Sequence, residues 1–198
     1  MRTIEENVYS YTELNETAKE KVQNWSLTLK DSYIFTDMCK DELFCLFGKN
    51  DLEVYYSLNY SQGDCFDIVG SIDIEQVFTA LKNKEQIKVL NDFENLFTEK
   101  EIRTLQHYSQ YNGSIEISEN GRYSEKIDFA NEWIDTLEYY EYRDINTNVI
   151  YKLEEVLRDL FSTLCSEFMK QGYDYFYTFD PYDVEDYEFY ENGEVYYC

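Results

Sequence analysis

The spacing of apolar residues predicts that this chain begins with two helices. Ala18 and Val22 recur at helical intervals behind Asn15, a residue type that often caps helix N-termini. A second, short helix is expected between a cap at Thr36 and a stop at Gly48, because glycine readily adopts the left-handed conformation that ends helices.

The apolar period then changes from 3.6 residues to 2, which is typical of a half-buried strand. Residues 52–60 alternate in this way, residues 61–64 form a polar turn, and residues 66–72 supply a returning strand. Together these segments predict a β-hairpin. Residues 74–97 regain the helical period and predict one or two further helices.

Two more local signals lie in the middle of the chain. Residues 98–101 have the pattern of a capping box, which predicts the start of a helix. Asn120 and Gly121 favour the tight turn of a second hairpin, and its return strand would contain Ile127 and Phe129.

The longest apolar stripe follows Asn148 and predicts a long helix that ends at Gly172. Asp180 and Pro181 then favour a short helical turn, and a last strand is expected near Tyr187. Helices packed on antiparallel hairpins define an α+β fold. The chain has one proline and seven glycines, so we expect a single domain over residues 1–198 that ends in an acidic, tyrosine-rich segment, residues 173–198.

The charge of the chain points towards its function. There are 41 Asp and Glu against 17 Lys and Arg, a formal net charge of −24 over 198 residues. A chain this acidic is often disordered, but 21 tyrosines and a hydrophobic content of 43% supply enough material for a core. The charge repels anionic membranes and bare nucleic acid, and it favours a basic protein as the partner.

The acids are concentrated in two segments. Residues 173–198 contain no Lys, Arg or His, and three of their tyrosines, Tyr182, Tyr187 and Tyr190, are candidate anchors for a partner. The candidate partner-binding acids of this segment are Asp174, Asp180, Asp183, Glu185, Asp186, Glu188, Glu191 and Glu194. A second group recurs at intervals of three and is expected on one side of a helix; its members are Glu132, Asp135, Glu138 and Glu141.

Two explanations of these acids are open at this point. They could form a solvated face that only keeps the protein soluble. Alternatively, carboxylates on a rigid aromatic scaffold could imitate duplex DNA, which carries one negative charge per about 1.7 Å of its axis. Such a surface would enter the Lys- and Arg-lined groove of a nucleic-acid enzyme.

Little in the sequence favours catalysis, and we predict no catalytic residue, no cofactor and no metal site. His107 is the one histidine, and the five cysteines lack the Cys-x-x-Cys spacing of zinc sites, so they are expected to be reduced thiols. No glycine-rich phosphate loop is present. The first residues lack the features of a secretion signal, and no apolar run is long enough to span a membrane, so we expect a cytoplasmic location.

Five segments of the chain follow one another in a distinctive order. They are residues 11–22, the Ser-Gln-Gly-Asp loop of residues 61–64, and residues 121–123, 153–160 and 187–193. In this order they resemble a family of small acidic proteins encoded by bacteriophages and prophages. The resemblance covers most of the chain.

The resemblance implies a small, non-enzymatic phage protein, a class that includes inhibitors of host defence and antitoxin-like proteins. We therefore expect an anti-defence inhibitor in the cytoplasm of a bacterial host, which binds a basic partner such as a CRISPR effector or a nuclease and blocks its access to nucleic acid. An antitoxin or regulatory module that acts through apolar surface is the alternative, and a metal-dependent enzyme is the third hypothesis. Cys65, and the sequence after Gly172, depart from the family pattern.

Overall fold

The fold is α+β, as the sequence predicts. The computed structural model describes residues 7–48, 51–61, 63–82, 97–111, 113–117 and 127–196. Within this part of the chain there are six α-helices and one three-stranded antiparallel sheet in the order β1-β2-β3. The chain divides into two compact units, of which one combines Met1–Phe35 with Gln171–Cys198 and the other is Thr36–Lys170.

The bounds of the described elements are as follows. The helices are α1 (Glu16–Leu27), α2 (Ser32–Phe47), α3 (Ile74–Lys82), α4 (Glu99–Tyr108), α5 (Ala130–Tyr139) and α6 (Thr147–Tyr177). The strands are β1 (Glu53–Ser57), β2 (Cys65–Asp73) and β3 (Ser114–Ile117). Two short 3-10 helices cover Tyr11–Glu13 and Pro181–Val184. Among the described residues, no helix is both long and apolar enough to cross a bilayer.

The first unit is built on α1. Asn15 caps this helix as predicted, since its side-chain oxygen accepts a hydrogen bond from the Ala18 backbone N–H at 3.0 Å. Phe189 is fully buried and exchanges backbone hydrogen bonds with Tyr9 at 2.8 and 2.9 Å. The strand predicted near Tyr187 is therefore replaced by isolated bridges from Phe189. One buried apolar cluster of this unit consists of Leu14, Ala18, Val22, Val184 and Phe189.

Two helices begin at residues other than the predicted ones. The second helix begins at Ser32 rather than Thr36, because the Asp31 side chain accepts from the Tyr33 N–H at 2.7 Å and so caps it earlier. Gly48, with φ +69°, ends this helix as predicted. The longest helix begins at Thr147, so Asn148 lies inside it and is not its cap.

The longest helix also passes through Gly172, where the sequence predicts a stop, and ends at Tyr177. The rings of Tyr175 and Phe176 lie against Phe35, with centroids 5.5 and 5.4 Å away. Burial of aromatic surface outweighs the cost of glycine inside a helix, which is about 1 kcal/mol. Residues 173–177, the start of the acidic segment, are consequently helical.

The second unit contains the sheet. The predicted hairpin is confirmed, with Val54 opposite Ile68 in the β1–β2 pair, and Ile72 lies opposite Ile115 in the β2–β3 pair. All four side chains are buried. The predicted apolar stripe of α6 is also buried; its residues Val149, Ile150, Leu153, Val156, Leu157, Leu160, Phe161, Leu164 and Phe168 form much of the core.

In the middle of the chain, one predicted element is confirmed and another prediction is wrong. The capping box that begins α4 is confirmed, with reciprocal hydrogen bonds of 2.7 and 3.2 Å between Thr98 and Glu101. Ile127 and Phe129 are not on a return strand; they are buried, and Phe129 is the N-cap residue of α5. The predicted turn at residues 120–121 and the helix predicted for residues 83–96 lie outside the described residues.

Candidate partner-binding surfaces

The C-terminal acidic segment (residues 173–198, described to residue 196) presents most of its carboxylates to solvent. Asp180 caps the short turn Pro181–Val184, as predicted, by accepting from the Tyr182 N–H at 3.0 Å. Asp183 forms an ion pair with Lys30 instead. The exposed carboxylates are those of Asp174, Asp180, Glu185, Asp186, Glu188, Glu191 and Glu194.

Asp183 therefore has a structural role in the first unit. Its partner Lys30 is nearly buried, and the Lys30 Nζ also lies 5.1 Å from the centroid of the Tyr175 ring. An aromatic face attracts an ammonium group, so Lys30 is held on two sides. Of the predicted partner-binding acids, Asp183 is thus one whose charge is compensated within the chain.

The three predicted tyrosine anchors differ in their surroundings. Tyr187 packs edge-to-face on Trp25 with centroids 5.1 Å apart, and Tyr190 packs edge-to-face on Tyr196 at 5.6 Å. Tyr182 is 77% exposed. Tyr187 and Tyr190 therefore pack part of their surface against other side chains of this chain, while Tyr182 exposes most of its surface to solvent.

The backbone of the segment is ordered by contact with α1. Gly193 has φ +82°, and a Cβ atom at this position would lie 2.6 Å from the Ala18 carbonyl oxygen. Tyr190 donates its N–H to the Glu194 carbonyl at 2.8 Å, which closes the turn between them. The exposed acids are therefore displayed on a folded scaffold rather than on a free tail.

The second candidate surface is carried by α5, whose start is fixed from a distance. The N-cap residue Phe129 has no side-chain cap of its own. Glu154, 5% exposed on α6, supplies one: its Oε2 accepts from the N–H groups of Phe129 and Ala130 at 2.7 and 2.6 Å. Arg158 Nη2 donates to the other Glu154 oxygen at 2.6 Å, and Arg158 Nε donates to the Ile127 carbonyl at 2.7 Å.

The predicted acids of this surface do not all lie on the helix. Glu132, Asp135 and Glu138 are exposed on α5, while Trp133 and Leu137 are buried on its other side. Glu141 follows the helix end and is exposed, with φ +54°. The prediction that it continues the helix is wrong, because α5 ends at Tyr139.

The end of α5 forms a complete Schellman motif. The Tyr142 N–H donates to the Leu137 carbonyl at 3.0 Å, and the Glu141 N–H donates to the Glu138 carbonyl at 2.9 Å. Glu141 occupies the left-handed position that usually belongs to glycine. The left-handed backbone conformation at this position is therefore less favourable for Glu141 than it would be for glycine.

A cleft of about 360 Å³ adjoins the start of α5. The charged side chains that line it, among the described residues, are the carboxylates of Glu116, Asp128 and Glu132. Glu116 lies in strand β3, Asp128 precedes α5, and Glu132 lies in the first turn of α5. A cationic side chain is the group that such a lining would accept.

Next to the acids of α5 lies a cluster that sequence reasoning missed. We define the aromatic patch as His107, Tyr111, Tyr139, Tyr140 and Tyr142. The Tyr111 ring lies 5.5 Å from Tyr140 and 5.6 Å from Tyr142, and His107 lies 5.3 Å from Tyr142. Only the neighbouring tyrosines Tyr139, Tyr140 and Tyr142 are visible as a local signal, because Tyr111 lies earlier in the chain, between α4 and β3.

The described residues hold no group of three or more His, Cys, Asp or Glu side chains that could bind a metal ion. His107 is exposed and contacts tyrosine rings. Burial raises the pKa of the Cys39 thiol to about 12, so this cysteine is not a nucleophile at neutral pH.

The chain matches no protein-family model, no curated protein and no solved structure. The resemblance to acidic phage proteins therefore stays a prediction.

Proposed function

We propose that this protein is an inhibitor that binds a basic, nucleic-acid-handling protein and blocks its nucleic-acid site, as an anti-defence protein of a phage or prophage would. A CRISPR effector or a nuclease is the partner class to test first. The observation that carries the proposal is the C-terminal acidic segment. It has no Lys, Arg or His and displays a run of exposed carboxylates on ordered backbone.

The physical basis is competition for the same cationic groove. Duplex DNA brings one charge per about 1.7 Å to such a groove, and binding releases condensed counterions, so the affinity falls steeply with salt. A folded acidic protein meets the same lysines and arginines, and opposite fields speed the encounter by about 10- to 1,000-fold at low ionic strength. Exposed tyrosines such as Tyr182 add apolar contact area.

The first experiment measures whether the protein displaces DNA. Purified CRISPR effectors and restriction nucleases are incubated with labelled duplex DNA, and the shift of the DNA on a gel is followed as the protein is added. We expect loss of the DNA complex at near-stoichiometric protein and weaker inhibition as salt rises. Lack of displacement across a panel of basic nucleic-acid enzymes would contradict the proposal.

A pair of charge-reversal variants separates a specific surface from total charge. The test variant avoids the capping residue Asp180 and the paired residue Asp183, so that folding is preserved; its substitutions are Glu185→Lys, Asp186→Lys, Glu188→Lys and Glu191→Lys. The matched control changes the net charge equally at exposed sites elsewhere; its substitutions are Glu20→Lys, Asp51→Lys, Glu155→Lys and Asp159→Lys. We expect at least about tenfold weaker inhibition from the test variant and a much smaller effect from the control.

One observation favours the alternative of a regulatory module that acts through apolar surface. Met38 and Phe44 are large, apolar and exposed on the described part of α2. If Phe44→Ser abolishes capture of a partner and salt has little effect, this alternative replaces acidic mimicry.

A further inference from the structure

The aromatic patch places several ring faces at the surface of the second unit. Tyr139 is 80% exposed and Tyr140 is 56% exposed, and their rings meet edge-to-face at 5.3 Å. Tyr111 joins them through its contact with Tyr140. Because large aromatic side chains exposed together are unusual on a monomer surface, this patch is a candidate contact site.

The patch is held from beneath by Tyr108. This residue is buried, its ring meets Tyr142 edge-to-face at 5.2 Å, and its hydroxyl accepts from the Asn146 N–H at 2.8 Å. Burial and the neighbouring phenols of Tyr108 and Tyr111 raise the pKa of Tyr142. The chain after α5 is thus fixed over α4, and a fixed surface loses less entropy when it binds.

The charges around the patch are mainly negative. Glu138, Glu141 and Asp144 are exposed in or beside it, and Arg143 is the one basic residue between residues 130 and 146. Glu141 and Asp144 both have positive φ, at +54° and +61°. Ring faces and carboxylates attract the same ligand, a cation that has a flat, partly apolar face.

We propose that the aromatic patch binds an arginine side chain of the basic partner, an inference that rests on the proposed function. A guanidinium group is planar, so it stacks on a tyrosine ring while its N–H groups donate to the carboxylates of Glu138 or Glu141. A lysine ammonium is more strongly hydrated and has no plane to stack. The patch therefore distinguishes arginine from lysine, whereas the C-terminal acidic segment responds mainly to charge.

The test compares two labelled peptides, octa-arginine and octa-lysine, for binding to the full chain by fluorescence polarisation. The key variant is the double substitution Tyr139→Leu and Tyr140→Leu, which removes two exposed rings and keeps apolar side chains. Its conservative partner, Tyr139→Phe with Tyr140→Phe, keeps the ring faces. Tyr33→Leu, at an exposed tyrosine of the first unit, is the matched control.

We expect the parent to bind octa-arginine about tenfold more tightly than octa-lysine at moderate salt. The double leucine variant should lose about tenfold in affinity for octa-arginine, since two exposed cation–π contacts are removed. Octa-lysine binding should change little, the double phenylalanine variant should keep the preference, and Tyr33→Leu should behave as the parent. Equal affinity for the two peptides, or a preference that survives the double leucine substitution, would overturn the proposal.

The same variants separate this inference from the proposed function. If the leucine variant loses the arginine preference while no nucleic-acid enzyme is inhibited by the parent, the patch stands and the proposed function fails. If inhibition is present but the peptides show no preference, the proposed function stands and the patch does not bind arginine. Circular dichroism of each variant confirms that the fold is intact before affinities are compared.

Discussion

Replacement of Glu154 by alanine tests the main long-range interaction that we infer for α5. Both carboxylate oxygens are used, since Oε2 accepts the backbone N–H groups of Phe129 and Ala130 and Oε1 accepts from Arg158. The residue is 5% exposed, so water replaces these contacts poorly. Glu154→Ala removes the acceptor of two buried backbone N–H groups and of one Arg158 N–H group.

The magnitude follows from those lost contacts. Each buried donor left unsatisfied costs about 1–3 kcal/mol. Loss of one partner of a fully buried ion pair costs about 3–5 kcal/mol, and the part-buried Arg158 incurs only a fraction of this cost. These costs overlap at one site, and Arg158 keeps its bond to Ile127. We therefore expect Glu154→Ala to lower the free energy of unfolding by about 4 kcal/mol. Glu154→Gln keeps one acceptor oxygen for the backbone but turns an amide donor or a neutral oxygen towards Arg158. We therefore expect it to lower the free energy of unfolding by about 2 kcal/mol.

The assay is equilibrium unfolding in urea, followed by circular dichroism at 222 nm and by tryptophan fluorescence. Of the two tryptophans, Trp133 lies in α5 and Trp25 in α1, so the fluorescence reports in part on the helix that Glu154 caps. The matched control is Glu155→Ala, the adjacent exposed acid of the same helix, which should change the free energy of unfolding by no more than about 0.5 kcal/mol. A loss below about 1 kcal/mol for Glu154→Ala, or one equal to the control, would refute the capping role.

Three further predictions concern single residues. Glu141→Gly should raise the free energy of unfolding by about 1 kcal/mol, because glycine adopts the left-handed conformation without strain; a lower urea midpoint would contradict this. The Lys152 ammonium lowers the pKa of Glu101 to about 2 from 4.5, so the stabilisation from Glu101 is complete above pH 4.5 and is lost as pH falls towards 2. Glu101→Gln should flatten the dependence of Tm on pH in that window, and an unchanged slope would count against the assignment. At pH 8 a thiol reagent should modify the exposed Cys45 in the native protein, while Cys39, with a pKa of about 12, should react only after unfolding; mass spectrometry of the modified peptides checks this.

The sequence by itself determined the elements that depend on short-range contacts, such as helix caps, and on the apolar period of a single helix or hairpin. Asn15, the capping box at Thr98 and Glu101, and the cap at Asp180 each bond to a backbone group two or three residues away. The buried stripe of α6 and the β1–β2 hairpin follow from apolar periods of 3.6 and 2. The net charge and its concentration in residues 173–198 also come from sequence alone.

Only the tertiary structure decided the features that join residues distant along the chain. The longest helix continues past Gly172 because its last rings pack on Phe35, and α5 starts where it does because Glu154 reaches its first N–H groups. The pairing of Asp183 with Lys30 and the meeting of Tyr111 with Tyr142 join residues separated by long stretches of chain. Local propensities differ by about 1 kcal/mol or less, so the burial and hydrogen bonding of such contacts override them.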